Sequence, residues 1–215
     1  MPKPISAPDP VPVRIVIVTL DNHLAGATER ARRSVAREVP GLEVTLHAAA
    51  EWGTDPGSVE RCRADIARAD IVIANMLFME DHIQAVLPAL QARRDGCDAM
   101  VVCMSAGEVI RLTRIGRFTM TGNERGPLAF LKRLRGARKE GGSSGARQIA
   151  MLRRIPKILR FIPGTAQDVR AYFLTLQYWL CGSDENVAQM LETPYETVEH
   201  VVHNVMAPWI DAYVA

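Results

Sequence analysis

Four polarizable apolar side chains lie at or just beyond the ends of two short hydrophobic runs, where they could contact a large flat ligand. These side chains are Met76, Phe78, Met79 and Met104. Thioethers and aromatic rings adapt well to extended aromatic faces. Further along the chain, Arg153 and Arg154 could pair with carboxylates on such a ligand. The competing interpretation is that the four apolar residues belong to an ordinary core, since Met and Phe are commonly buried for packing alone.

Three polar residues follow this apolar group and offer ligand or proton-acceptor chemistry. Glu80, Asp81 and His82 supply two carboxylates and one imidazole, and His82 is included among the candidate ligand contacts. A local structural role explains the two acids better. Asp81 is expected to be the N-cap of a helix, and Glu80 a first-turn anion favoured by the helix dipole.

A second pattern, Asp21-x-His23-x-x-Gly26, directly follows the first hydrophobic run. It is similar to the fingerprint of cobalamin-binding modules, in which the histidine ligates cobalt. The two other elements of that fingerprint fail, because the corresponding places read NML at 75–77 and SAG at 105–107. A polar turn that leads into a helix explains the same residues, so tetrapyrrole binding here is kept as an alternative.

Other patterns favour no site. One predicted helix has acids and histidines at i,i+4 spacing but lacks the H-E-x-x-H order, so a solvated face is the better interpretation. These residues are Glu196, Glu199, His200 and His203. The stretch 132–160 holds ten cations and one acid, which predicts a basic patch or a charged flexible loop. The sequence contains no phosphate-binding G-x-x-x-x-G-K-[ST] loop, so any ATP hydrolysis is expected from a partner.

Composition excludes several classes of protein. The chain has 215 residues, 48% of them hydrophobic, and a formal charge of +2, which argues against general nucleic-acid binding. Its four cysteines form no C-x-x-C pair, which is typical of a reducing compartment. No apolar stretch reaches the length of a transmembrane segment. We therefore expect a cytoplasmic protein.

The candidate residues are positioned by alternating strands and helices. Residues 14–20, 42–47, 71–77 and 99–104 are short β-branched or apolar runs that predict strands. Amphipathic segments between them predict helices, one of which opens at Pro56, and Ser105-x-x-Glu108 predicts a capping box for another. This rhythm predicts an α/β fold with a doubly wound, mainly parallel sheet of the Rossmann or flavodoxin-like kind. Ligands bind such sheets outside the carboxyl ends of the strands.

The rhythm stops after about Gly116, and a helical C-terminal segment follows. An apolar stripe from Val169 to Leu180 ends at Gly182, and a last helix is expected to begin near Thr193. These stripes must pack on the sheet, on each other or on a second copy of the chain. The predicted organisation is a disordered proline-rich tail (1–12), a sheet domain (13–135), a flexible basic Gly/Ser loop (136–147) and a helical segment (148–215).

Three segments together carry a family resemblance: MLFMEDHI at 76–83, CMSAGEV at 103–109 and FIPGTAQDVRAYF at 161–173. They resemble the amino-terminal region of the large, porphyrin-binding subunit of magnesium chelatase, a relative of the cobaltochelatase large subunit. The resemblance runs from about residue 13 to about residue 190. It implies a fragment of a longer subunit.

The resemblance implies a part of a ligase that inserts Mg²⁺ into protoporphyrin IX during bacteriochlorophyll biosynthesis in photosynthesis. Mg²⁺ and ATP would be used by the full complex, with hydrolysis by AAA+ motor subunits. The expected partners are the remainder of the large subunit, the motor subunits and the porphyrin. Alone, the chain is expected to be inactive. Its expected roles are porphyrin gating or subunit contact, and no resident cofactor and no catalytic or metal-binding residue are assigned.

The main rival of another class is a non-catalytic protein-interaction or dimerisation module, which would form a homodimer without contacting any tetrapyrrole. A titration with porphyrin distinguishes the two. A response-regulator-like or flavodoxin-like ligand domain is disfavoured, because the acidic pocket and the phosphate loop that those proteins need are absent from the sequence.

Overall fold

A computed structural model describes residues 12–37, 39, 41–120, 155–157, 159–160 and 164–193 of the chain. The proline-rich tail, the Gly/Ser loop, Arg153, Arg154 and the predicted last helix with its acids and histidines lie outside the described residues. Within this part of the chain, no helix is both long enough and apolar enough to cross a membrane.

Six strands form one mixed sheet. They are β1 (Val13–Thr19), β2 (Leu42–Ala48), β3 (Ile71–Asn75), β4 (Ala99–Cys103), β5 (Arg114–Ile115) and β6 (Phe118–Thr119). Their order is β2-β1-β3-β4-β5-β6. The first four strands pair in parallel, and β4, β5 and β6 pair antiparallel. The predicted mainly parallel α/β sheet is confirmed, and the hairpin of β5 and β6 is an addition that the sequence patterns did not predict.

Helices cover both faces of the sheet. They are α1 (Ala25–Val35), α2 (Pro56–Arg68), α3 (Glu80–Arg93), α4 (Gly107–Ile110), α5 (Thr165–Cys181) and α6 (residues 184–193), with a short 3-10 turn at Ala49–Glu51. α1, α5 and α6 pack on one face, while α2, α3 and α4 pack on the other. Strand residues of alternating parity supply the two cores, because successive side chains of a strand point to opposite faces.

Helix α5 completes the core on the α1 side of the sheet. Tyr172 packs edge-on against Phe118, with ring centroids 5.6 Å apart, and its hydroxyl donates a hydrogen bond to the Val102 carbonyl oxygen at 3.2 Å. Gly182 ends the helix in the left-handed conformation, as its position after the apolar stripe predicts. Of the three packing arrangements expected for this stripe, the structure shows the one on the sheet.

Two predicted caps are wrong, and one start signal is confirmed. Asp55 caps α2 by accepting a hydrogen bond from the Gly57 N–H, and Pro56 is the first helical residue. Helix α3 instead begins one residue before Asp81, and Met79 is its N-cap without a side-chain hydrogen bond. At α4 the N-cap is Ala106, so Ser105 does not form the predicted capping box. In both places the strand also ends earlier than its apolar run, β3 at Asn75 and β4 at Cys103.

The β5–β6 turn is held by an acid from α5. Asp168 is buried at 8% exposure and accepts a hydrogen bond from the Arg117 N–H at 2.9 Å. Gly116 has a φ of 54°, and a Cβ added to it would lie 2.6 Å from Asp168 Oδ1. Burial raises the pKa of Asp168, although the Arg117 N–H and the Arg117 charge act in the opposite direction. The carboxylate therefore fits against the turn only because residue 116 has no side chain.

Candidate functional site

Those predicted ligand-binding residues that the structure describes lie at the carboxyl edge of the parallel strands. The loops after β1, β3 and β4 leave three neighbouring strands at this edge, in the order β1, β3, β4. β2 lies on one side of β1 and β3 lies on the other, so the direction in which successive strands extend the sheet reverses at β1. Such a switch point is where open α/β sheets bind ligands. We call the loop residues 21–23, 76–79 and 104–106 the carboxyl-edge loops.

Large apolar side chains are exposed on these loops. Phe78 is 55% exposed, Met79 54% and Met104 36%, and Met76 is partly buried. Among the described residues, Leu180 at 55% is the one other large hydrophobic side chain with such exposure. The interpretation of Phe78, Met79 and Met104 as ordinary core residues is therefore wrong. Each lies beyond the last paired residue of its strand, where neither helical layer covers it.

The backbone at this edge adopts an uncommon conformation at two equivalent places. Met76 has a φ of 60° and Met104 a φ of 44°, the two positive values among the described residues other than glycine. Met76 directly follows Asn75, the last residue of β3, and Met104 directly follows Cys103, the last residue of β4. Asn75 and Cys103 are themselves paired in the sheet. Non-glycine residues of positive φ are uncommon and strained, and such strain concentrates at functional sites.

Two hydrogen bonds tie these strained loops together. The Leu77 N–H donates to Ser105 Oγ at 3.1 Å, and the Ala106 N–H donates to the Leu77 carbonyl oxygen at 2.9 Å. The Ser105 hydroxyl in turn donates to the Cys103 carbonyl oxygen at 2.9 Å. The loops after β3 and β4 are therefore one connected unit, which carries Phe78, Met79 and Met104 at the same edge of the sheet.

Buried polar groups lie directly beneath the edge. Thr19 ends β1 and Asn75 ends β3, directly after the paired residues Val18 and Ala74, and both are fully buried. Neither Thr19 Oγ1 nor either amide atom of Asn75 has a hydrogen-bond partner among the described residues, and the same holds for Thr28 Oγ1 on α1. Buried polar atoms without partners are rare in native proteins. Sequence reasoning passed over Asn75, although a polar residue that ends the run IVIAN was a usable signal.

The loop after β1 positions a histidine. Asp21 accepts hydrogen bonds from the His23 ring through Nδ1 and from the His23 N–H, the latter at 3.2 Å. These bonds lower the pKa of Asp21. The His23 ring also packs edge-on against Trp179 of α5 at 6.0 Å between centroids. Gly26 lies in the first turn of α1, where an added Cβ would meet only the flexible Arg30 side chain, at 3.3 Å.

His82 lies on the opposite side of the edge. Its ring packs edge-on against Trp52, with centroids 5.7 Å apart, and its Nδ1 has no hydrogen-bond partner among the described residues. Glu80 accepts a hydrogen bond from Gln84 at 2.8 Å. Within the described ranges, no group of three or more His, Cys, Asp or Glu side chains could hold a metal ion. The cluster at this edge is thus an apolar surface flanked by two imidazoles.

Comparison with known proteins gives consistent matches. Residues 14–173 match the family described as a domain of unknown function (DUF3479). The chain is 52% identical over 177 residues to the magnesium-chelatase H subunit of Cereibacter sphaeroides and 46% identical to that of Rhodobacter capsulatus. It is 30% identical over 184 residues to the chloroplastic magnesium-chelatase ChlH subunit of Oryza sativa subsp. indica. These matches cover 82–84% of this chain but only 13–15% of the relatives.

Proposed function

Since the chain belongs to the DUF3479 family and corresponds to the amino-terminal region of the magnesium-chelatase H subunit, we propose that it contacts the porphyrin during chelation. In this proposal the whole complex inserts Mg²⁺ into protoporphyrin IX for bacteriochlorophyll synthesis, and AAA+ motor subunits hydrolyse ATP. The domain gates or positions the porphyrin and leaves metal insertion to the rest of the large subunit. The chain spans about 15% of the length of the bacterial relatives it matches.

One observation carries the proposal: the exposed apolar side chains of the carboxyl-edge loops. Phe78, Met79 and Met104 come from two loops that are hydrogen-bonded to each other. A contiguous apolar patch on a protein surface commonly marks a binding site. Methionine suits a broad aromatic ligand because its thioether is polarizable and its side chain has several rotatable bonds. A tetrapyrrole face meets these requirements.

The proposal is tested by titrating the chain with protoporphyrin IX and following tryptophan fluorescence. Trp52 and Trp179 lie beside this edge, so bound porphyrin should quench them. The double variant Phe78→Ser/Met79→Ser should raise the dissociation constant at least about tenfold, equivalent to ~1.4 kcal/mol. In the complete large subunit, supplied with its motor partners, the same variant should slow Mg²⁺ insertion.

Leu180→Ser is the matched control, because Leu180 has the same exposure as Phe78 but lies at the end of α5. Phe78 is exposed, so its replacement is not expected to carry the several-kcal/mol cost of emptying a buried site. The proposal is wrong if protoporphyrin IX does not quench the tryptophan fluorescence of the chain. It is also wrong if the double variant binds protoporphyrin IX as tightly as the Leu180→Ser control does.

A protein-interaction role is the second candidate, and the same exposed patch favours it. A partner protein or a second copy of the chain could cover Phe78, Met79 and Met104 in place of a porphyrin. This role predicts that Phe78→Ser/Met79→Ser weakens self-association, or association with the remainder of the large subunit, without any response to porphyrin. Sedimentation of the chain with and without protoporphyrin IX separates the two roles.

A further inference from the structure

His23 is oriented from two sides and leaves one ring nitrogen free. Its Nδ1 is hydrogen-bonded to the Asp21 carboxylate, and its ring packs edge-on against the buried Trp179. The side chain is still 48% exposed, and among the described residues Nε2 has no hydrogen-bond partner. An imidazole whose Nδ1–H is donated to a carboxylate is fixed in the tautomer that presents a lone pair on Nε2.

This arrangement is typical of a metal-ligating histidine. Such residues almost always donate their second ring N–H to a carboxylate or a carbonyl oxygen, which sets the ring orientation and raises the basicity of the ligating nitrogen. The described residues bring no second or third ligand to His23. A single imidazole is nevertheless enough when the metal already has four ligands from a tetrapyrrole, because one axial position then remains to be filled.

The surroundings of His23 suit a tetrapyrrole face. The loop after β1 and the loop after β3 leave adjacent strands, and adjacent strands lie about 4.8 Å apart. Phe78, Met79 and Met104 therefore occupy the same edge as His23. The loop that carries His23 is itself anchored, since Asn22 Nδ2 donates a hydrogen bond to Glu51 Oε1 at 2.9 Å. A ligand at this edge would meet both an apolar surface and a pre-oriented nitrogen.

We infer that His23 Nε2 is an axial ligand for the metal of a metallated tetrapyrrole bound at the carboxyl-edge loops, with Asp21 as its positioning residue. The inference rests on the proposed porphyrin contact and adds a preference. The domain binds the metallated product of chelation more tightly than the metal-free substrate, since only the metallated form can form a bond to nitrogen. The site thereby distinguishes the two by the metal alone.

The test compares zinc protoporphyrin IX, magnesium protoporphyrin IX and metal-free protoporphyrin IX, each titrated into the 215-residue chain. Absorption in the Soret region reports axial ligation, and tryptophan quenching reports binding of any porphyrin. The chain should bind both metallated forms at least about tenfold more tightly than the metal-free form, with a red-shifted Soret band. His23→Phe keeps a ring against Trp179 but has no nitrogen. It should abolish the preference and the band shift.

Asp21→Asn should reduce the preference by a smaller factor than His23→Phe, because the imidazole remains but its orientation is weakened. Added imidazole should restore the Soret shift in His23→Gly. His47→Phe is the matched control, since His47 is also paired with a carboxylate, Asp65 at 2.9 Å, but lies within β2 rather than beyond its carboxyl end. It should behave as the unmodified chain does.

Two different failures can be distinguished. If all three porphyrins bind equally, or if His23→Phe keeps the preference, the axial-ligand inference is wrong and the porphyrin contact stands. If none of them quenches tryptophan fluorescence or shifts its own absorption, the porphyrin contact is wrong, and the inference about His23 is wrong with it. Circular dichroism of each variant establishes that the fold is retained.

Discussion

Replacing Gly116 by alanine should strongly destabilise the protein, although the change adds only one methyl group. Gly116 has a φ of 54°, and the three carboxyl atoms of Asp168 lie 2.6–2.8 Å from the position of an added Cβ. Contacts below about 3 Å are too short for a Cβ, so the carboxylate must move away. It would then lose the hydrogen bond that it accepts from the Arg117 N–H at 2.9 Å.

The magnitude follows from three contributions. An alanine in the left-handed region costs about 1–2 kcal/mol. Loss of a hydrogen bond to a charged group costs about 1.5–3 kcal/mol. The lower entropy of the unfolded alanine chain offsets ~0.4–1 kcal/mol of this. The net destabilisation is about 2–4 kcal/mol, which in a chain of this size lowers the melting temperature by on the order of 10 °C.

Urea unfolding of Gly116→Ala, followed by circular dichroism, measures this loss as a lower midpoint at constant slope. Gly107→Ala is the control, because no atom lies within 4 Å of a Cβ added there and its φ is not positive; its stability should stay near that of the parent. In an Asp168→Ala background the cost of Gly116→Ala should fall to the backbone contribution less the same unfolded-state offset, about 0–1.5 kcal/mol. A Gly116→Ala variant as stable as the Gly107→Ala control, or an equal cost in both backgrounds, would refute the reasoning.

Two further predictions concern buried polar groups. Burial raises the pKa of Asp168 above its usual 3.8, so the folded state disfavours the carboxylate, and this acid lowers the stability of the protein progressively as pH rises from about 3.8 through the raised value. Urea titrations should therefore show that Asp168→Asn gains stability relative to the parent over that pH window. A stability difference that does not depend on pH would contradict the burial effect. Asn75→Leu replaces an amide that has no hydrogen-bond partner among the described residues with an apolar group of similar size. Thermal melting should therefore show a gain in stability of roughly 1–3 kcal/mol. A loss of stability would mean that the amide is hydrogen-bonded in solution.

The parallel part of the sheet could be predicted from the sequence because β1, β3 and β4 are largely apolar runs. The run at 71–77 predicted β3, and the strand is found at Ile71–Asn75. Such runs carry a strong signal because both faces of the strand are covered by helices. Strands β5 and β6 have two residues each, which is too short for any periodicity to register. They form because Gly116 allows a tight turn that a distant acid, Asp168, can bind.

The candidate site was only partly predictable. The sequence places Met76, Phe78 and Met104 after strands, and parallel pairing then brings them to one edge. Their exposure could not be read from residue type, because it depends on where the strand pairing stops and on how far the helices reach. The left-handed backbone of Met76 and Met104 also has no sequence signal, since glycine or asparagine is the usual residue for that conformation.

The position of α5 in the core determines when this domain can finish folding during synthesis. The hydrogen bond from Tyr172 to Val102 joins residues 70 positions apart, and the ion pair between Arg30 and Asp184 joins residues 154 apart. Contacts of such sequence separation form late, because closing a long loop of chain costs entropy before the contact stabilises the fold. A nascent chain that has released β1 to β6 from the ribosome still exposes the apolar face that α5 will cover. For the interval needed to translate the following residues, this face is open to chaperones and to aggregation.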